Sequence, residues 1–271
     1  MSYSIFSETM ADMTYPQIEK AAEKKLPVLF PIAVIEEHGP HMCLGTDTYL
    51  TYNLCKKIRR GLLGMGFDCL IAPPYYWGIN IATDGFAGTF TVKPATMISV
   101  LCDTLECLKS WGFEKIFLFS FHGDFKHNQA IINAAKKAYE ELGIGAYFIG
   151  PDMFIRGARL SGKEPYVLVQ PTQPGTPSEY LDLHSGGSET SLMVKDFPDL
   201  VNIDLARRLE SSRTTFEGLK IWQQGGEKAR EITPLGYLGN PSGIDLGAAE
   251  AFEKEMVEGV SKIIYDFLKG K

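Results

Sequence analysis

The sequence predicts an α/β fold: a three-layer α/β/α arrangement in which a largely parallel sheet is covered by helices on both faces. Two observations carry this. The strand segments as far as Gly150 are apolar throughout instead of alternating, as strands buried on both faces require. Amphipathic helical segments alternate with them, which is how parallel strands are connected. The 271 residues, 45% apolar and 22% charged, are enough for one sizeable core. No repeat, linker or low-complexity tract divides them, so residues 1–271 are expected to form a single domain.

In chain order, "LPVLFPIAVI" (26–35) reads as a buried strand. Residues 47–64 read as a helix, with Thr46 as its N-cap and glycines at its end. A second strand starts at Cys69. Helical periodicity returns over 94–112, where Pro94 suits the first turn. The strand "KIFLFSF" (115–121), a helix over 128–143 and the strand "AYFIG" (146–150) follow. From 156 to 186 the pattern loosens, and "QPTQPGTPSEY" (170–180) reads as a long irregular connection of the kind that often lies over a site. A helix over 246–270 closes the chain.

The formal net charge of −6 argues against a nucleic-acid surface, and "CKKIRR" (55–60) reads as one helix face. No stretch approaches the ~18 apolar residues of a membrane span. The early part of the chain carries acidic residues and no apolar run, unlike a signal peptide. Five scattered cysteines without a C-x-x-C pair suggest free, buried thiols in a reducing cytoplasm.

Chemistry concentrates where strands end. In parallel sheets ligands bind at the carboxyl edge. Glu36 and His38 fall just after the first strand, and His122 and Asp124 just after the third; both pairs have i, i+2 spacing. Asp47 opens the next helix. Imidazole with carboxylate is a donor set that zinc or manganese accepts. Five such groups exceed what one open catalytic metal takes, whereas two ions sharing one carboxylate would use them all. All five histidines (38, 41, 122, 127, 184) lie in short polar segments. The competing reading makes Asp47 a helix-dipole partner and Asp124 a cap for the helix near Asn128. There is no H-E-x-x-H, G-x-S-x-G or P-loop, and Cys43 beside His41 is a weak nucleophile pair.

These residues resemble the creatininase (creatinine amidohydrolase) family. "PIAVIEEHGPHMCLGTD" is similar to that family's first motif, "FSFHGDFKHN" more loosely to its second, and "LDLHSGGSETSLM" (181–193) to its D-x-H-A-G-x-x-E-T-S segment. "FAGTFTV" and "GYLGNPSGIDLGAAEAF" match further segments, in order along nearly the whole chain. The resemblance implies a dinuclear metal hydrolase acting on carbon–nitrogen bonds other than ordinary peptide bonds. It further implies two divalent ions per chain, zinc or manganese with iron a third option, and a homo-oligomer, usually a hexamer. Glu36 and His122 would hold one ion, His38 and Asp124 the other, with Asp47 bridging. His184 would be the catalytic histidine, with Glu189 in the E-T-S element; His41 would support the ligands and His127 would be structural.

The chain departs from the pattern at Glu37, where glutamine is common, at Cys43, and at Ser120, Phe121 and Phe125. Asp124 is one methylene shorter than the family's glutamate. These departures line the pocket and bear on substrate identity; the resemblance implies a small amide, cyclic amides included. A deformylase or peptidase of the same family, and a binding protein that has lost activity, remain alternatives. A phosphate- or sugar-handling metalloenzyme using Lys126 or Arg156 is another.

Overall fold

A computed structural model describes residues 3–170 and 180–270. The elements run α1 (Tyr15–Glu23), β1 (Val28–Pro31), α2 (Thr46–Gly64), β2 (Leu70–Ile71), α3 (Pro94–Ser110), β3 (Ile116–Phe119), α4 (Phe125–Glu140), β4 (Ala146–Pro151), α5 (Asp152–Gly157), β5 (Val167–Gln170), α6 (Gly187–Asp196), α7 (Ile203–Ala206), α8 (Phe216–Trp222), α9 (Gly226–Ile232) and α10 (Leu246–Leu268). The five strands form one sheet in the order β2-β1-β3-β4-β5, with every pairing parallel.

Strand residues alternate between two apolar layers because successive side chains leave opposite faces. Val28, Phe30, Ile116, Leu118 and Phe148 pack with Met97, Leu101 and Leu105 of α3 and Ile131, Ala134 and Ala138 of α4. Leu29, Ile71, Phe117, Phe119 and Ile149 pack with Leu54, Ile58 and Leu62 of α2 and Val260 and Ile264 of α10. The three-layer α/β/α fold is therefore as expected. The strand order also creates a crevice. From β1 the chain passes through α2 to β2 on one side, and from β3 through α4 to β4 on the other, so connections diverge between β1 and β3. Ligands of open α/β sheets bind at such a reversal.

Differences from the sequence reading lie at element ends. The first strand stops at Pro31, and the second keeps only Leu70–Ile71 before Pro73 and Pro74, which have no N–H to donate. Thr46 is the first residue of α2 instead of its cap, and its hydroxyl donates to Cys43 O at 2.8 Å. Helix α4 starts at Phe125, three residues earlier than expected, because Asp124 caps it. Val167–Gln170 is an edge strand within the region read as loosening. Of the connection expected at 170–180, residues 171–179 lie outside the described residues. Cys55, Cys69 and Cys102 are buried thiols, whereas Cys43 is half-buried and Cys107 exposed. No described helix is long and apolar enough to cross a membrane.

Candidate metal centre

The adjacency of β1 and β3 brings the residues that follow them together. Glu36, His38 and His122 are buried there, and the first turn of α2 adds Asp47. His122 Nδ1 lies 3.1 Å from Glu36 Oε1 and 3.2 Å from Asp47 Oδ2. On the far side of Asp47, its Oδ2 lies 3.7 Å from His38 Nε2, which is 3.8 Å from Glu189 Oε2 on the first turn of α6. His184 completes the cluster: its ring centroid is 4.5 Å from that of His38, and its Nδ1 is 3.7 Å from Glu36 Oε1. Three triads each place one donor atom per residue within 4.8 Å of one another: Glu36/Asp47/His122, His38/Asp47/Glu189 and Glu36/His38/His184.

Each histidine is oriented by its other nitrogen. His122 Nε2 is 3.2 Å from Ile79 O, His38 Nδ1 is 3.2 Å from Glu36 O, and His184 Nε2 is 2.9 Å from Glu37 O. A ring N–H given to a backbone carbonyl leaves the second nitrogen bare toward the carboxylates, the usual support of metal-ligating imidazole. The carboxylates are held as well: Thr83 Oγ1 donates to Glu36 Oε2, and Ser185 N donates to Glu189 Oε2 at 2.6 Å. Ser185 adopts φ 54°, a left-handed conformation that few non-glycine residues take.

His38 Nε2 and Asp47 Oδ2, buried and facing each other, make no hydrogen bond. Buried polar atoms are rarely left unpaired, and a cation between these two would satisfy both. The donor set of imidazole nitrogen and carboxylate oxygen suits zinc or manganese, so the residues fit divalent ions. Electrostatics point the same way. Burial pushes Glu36 up and Glu189 up to about 7. Burial, followed by the charge of His184, lowers His38 to about 3. Burial opposes protonation of His184, yet Glu36, Glu37 and Glu189 together push it up to about 10. His122 is likewise raised by Glu36 and Asp47 against the cost of burial. Without a cation the cluster must hold protons to coexist; a bound cation reverses this by favouring ionised carboxylates and neutral imidazoles.

Asp124 belongs to none of the three triads. Its Oδ1 accepts from Lys126 N (2.7 Å) and His127 N (3.0 Å), and its Oδ2 accepts from Ile81 N at 3.0 Å. It is the N-cap of α4, and the carboxylate beside His38 and Asp47 is that of Glu189. The i, i+2 argument fails at this pair because the backbone turns into a helix directly after Asp124. His41 Nε2 contacts Thr190 Oγ1 at 3.0 Å and so braces the turn carrying Glu189. His127 is buried between Ile79 N (3.3 Å from Nδ1) and Ser120 Oγ (3.2 Å from Nε2). Lys126 is exposed, and Arg156 pairs with Asp152 at the surface. Among the described residues, no lysine or arginine forms an ion pair with Glu36, Glu37, Asp47 or Glu189. Thr83 and Trp222, whose indole lies 5.7 Å from the His184 ring, carry no signature that sequence reasoning could have read, whereas Thr89 and Ser185 lie inside the matched segments "FAGTFTV" and "LDLHSGGSETSLM", where nothing marked them individually.

The family described as "Creatininase: Creatinine amidohydrolase" matches residues 11–264. A creatinine amidohydrolase of Pseudomonas putida is 25% identical over 274 residues, covering 97% of each chain. A mycofactocin precursor peptide peptidase of Mycobacterium ulcerans (strain Agy99) is 24% identical, covering 87% of this chain and 84% of its own. The solved structure described as "Creatininase Mn" superposes with a TM-score of 0.68 at 20% identity, over 96% of this chain and 98% of that one. Together with the buried acid–histidine cluster at the sheet reversal, the match over residues 11–264 shows that this chain belongs to the creatininase family of amidohydrolases.

Proposed function

We propose that residues 1–271 act as one dinuclear-metal amidohydrolase domain that hydrolyses a carbon–nitrogen bond of a small amide. The observation that carries this is Asp47 Oδ2: it is buried, lacks a hydrogen bond, and is shared by two donor triads. In this reading Glu36 and His122 would hold one ion and His38 and Glu189 the other, with the Asp47 carboxylate available to both. Glu189 thus takes the place that Asp124 had in the sequence expectation. When bound, the ions would activate water and polarise the amide carbonyl. The chain's own groups do the rest. His184, with Nδ1 facing the cluster, takes up a proton and returns it to the leaving nitrogen. Thr83 and Ser185 keep the carboxylates of Glu36 and Glu189 in place. The absence of a basic partner at the cluster among the described residues disfavours a phosphate-handling reading, since anionic substrates need a positive clamp. The mycobacterial relative's name extends the range of amides to a peptide, and the P. putida relative's to creatinine.

Purified protein reconstituted with zinc or manganese is expected to hold two equivalents per chain and to hydrolyse at least one member of a panel of cyclic, formyl and short peptide amides. Elemental analysis near zero with no activity gained refutes the reading. Replacing His184 by asparagine is expected to lower turnover by ~10²–10⁴-fold while both metals remain, as for one general acid–base group. Loss of metal in that variant would instead make His184 a ligand of the third triad. A homo-oligomer, hexameric by resemblance, is part of the proposal; light scattering coupled to gel filtration tests it.

A further inference from the structure

Glu37 lies between two proposed ligands in sequence but meets His184 on the opposite ring edge from Glu36. Its backbone O is 2.9 Å from His184 Nε2 and its carboxylate Oε1 is 3.3 Å from the same nitrogen, whereas Glu36 Oε1 faces Nδ1. The residue is buried and anchored at its backbone and at one carboxylate oxygen. Glu37 N donates to Thr89 Oγ1 at 3.0 Å, and Oε2 accepts from Gly39 N at 2.9 Å. Gly39 turns at φ 65°, a left-handed conformation natural to glycine. At Gly236 (φ 88°) a Cβ would lie 1.9 Å from Glu37 Oε2, so the carboxylate occupies the space a side chain there would need. Yet Oε1 itself makes no hydrogen bond. Burying an ionisable group whose oxygen is left unpaired is costly. Packing alone gives no reason for it, because an apolar side chain of similar length would fill the same space and forgo only the bond from the half-buried Gly39 N–H.

We propose that Glu37 is a positioning residue for His184, holding Nε2 as the protonated nitrogen so that the bare Nδ1 points at Glu36 and the cluster. This deepens the amidohydrolase reading and rests on it for the role of His184. The carboxylate fastens the turn through Gly39, which keeps the Glu37 carbonyl in line with Nε2, and adds a second acceptor beside that N–H. Trp222 lies against the ring. Both jobs open to His184, carrying a proton or adding a nitrogen to an ion, need the lone pair on Nδ1.

The test is 15N-histidine NMR of the zinc-loaded protein at one fixed pH, with His184 assigned by the loss of its signals in His184→Asn. Turnover of whichever amide the panel yields is measured alongside. Wild type is expected to show His184 as a single Nε2–H tautomer. Glu37→Gln, whose amide oxygen can still accept, should keep that tautomer and a turnover close to wild type. Glu37→Leu should show mixed or exchanging tautomers and a kcat lowered ~10–100-fold with little change in KM and zinc content, the usual scale for a residue supporting a site histidine. An unchanged tautomer and kcat in Glu37→Leu overturn the proposal. So do equal losses in Glu37→Gln and Glu37→Leu, or loss of zinc from either. If no amide is hydrolysed by wild type, the amidohydrolase reading fails while the tautomer comparison still decides the role of Glu37.

Discussion

Three backbone amides converge on Asp124: Lys126 N and His127 N on one oxygen, Ile81 N on the other. The residue therefore joins the start of α4 to the segment 79–83, from which Ile79 O orients His122 and Thr83 holds Glu36. Removing such a cap costs about 1 kcal/mol, with about as much again for the stranded Ile81 N–H. Asp124→Ala is thus expected to lower the melting temperature by several degrees while zinc stays at two equivalents, read by differential scanning fluorimetry and elemental analysis. Glu189→Gln should do the reverse, lowering zinc toward one equivalent while leaving the melting temperature of the chelated protein close to that of chelated wild type. At this scale the sequence exposed residue types and their clustering but not their directions. Glu36, His38, Asp47 and His122 were legible because strand ends and a helix start converge on one sheet edge, whereas His184 was expected only from the family resemblance. Asp124 read as a partner of the first four because a carboxylate two residues after a histidine looks the same whether the backbone stays extended or turns into a helix; here it caps α4, and the carboxylate beside His38 is Glu189.

Between elements, an ion cluster ties α10 to the two helices that carry Asp47 and Glu189. Lys57 of α2 meets Asp196 (2.7 Å) at the end of α6 and Glu253 of α10, while Lys195 meets Glu253 at 2.8 Å. Asn53 Nδ2 adds a bond to Asp196 Oδ2 at 2.8 Å. The four charged side chains are 12–22% exposed, so the pairs are screened less than surface pairs. Lys57→Met leaves Asp196 and Glu253 facing each other with only Lys195 between them. Breaking a fully buried pair costs ~3–5 kcal/mol; with the partial exposure here, about 2 kcal/mol is expected. Urea unfolding should show a lower midpoint at unchanged slope, and a further Glu253→Gln change should recover part of the loss. Sequence had reduced this lysine to one face of "CKKIRR", since spacing along α2 shows which residues share a face but not what packs against it. Elements were legible in proportion to their burial. α2, α3 and α10 show a clear helical period and were found within two residues at each end, whereas β5 is short, half-exposed and at the sheet edge, where neither an apolar run nor strict alternation marks it.

In the whole molecule the two main apolar layers are separate from the acid–histidine cluster, which has only a smaller apolar cluster of Met42, Leu50, Leu192, Met193, Phe197 and Ala249 beside it. The two apolar layers lie on either side of the sheet, and the cluster sits beyond its carboxyl edge at the β1/β3 reversal. Chelation should therefore leave the chain folded, because none of the residues of those layers depends on the ions. It should nevertheless lower thermal stability. Ligands that bind only the folded state stabilise it by mass action, about 4 kcal/mol when free zinc exceeds its dissociation constant ~1,000-fold. Removing the ions also leaves Glu36, Glu37, Asp47 and Glu189 crowded around three imidazoles, with protons alone to balance them. The expected result of exhaustive chelation is an unchanged far-ultraviolet circular dichroism spectrum, a melting temperature lower by roughly 10 °C on the scale of ~2–4 °C per kcal/mol for a chain of this size, and full recovery on adding zinc. Asp47→Asn, lacking the shared carboxylate, should melt near the chelated wild type and gain little from zinc. A chelated protein that loses its secondary structure would show that the cluster is part of the folding core and not a site built onto it. A melting temperature indifferent to both chelation and zinc would mean that no ion binds the folded chain.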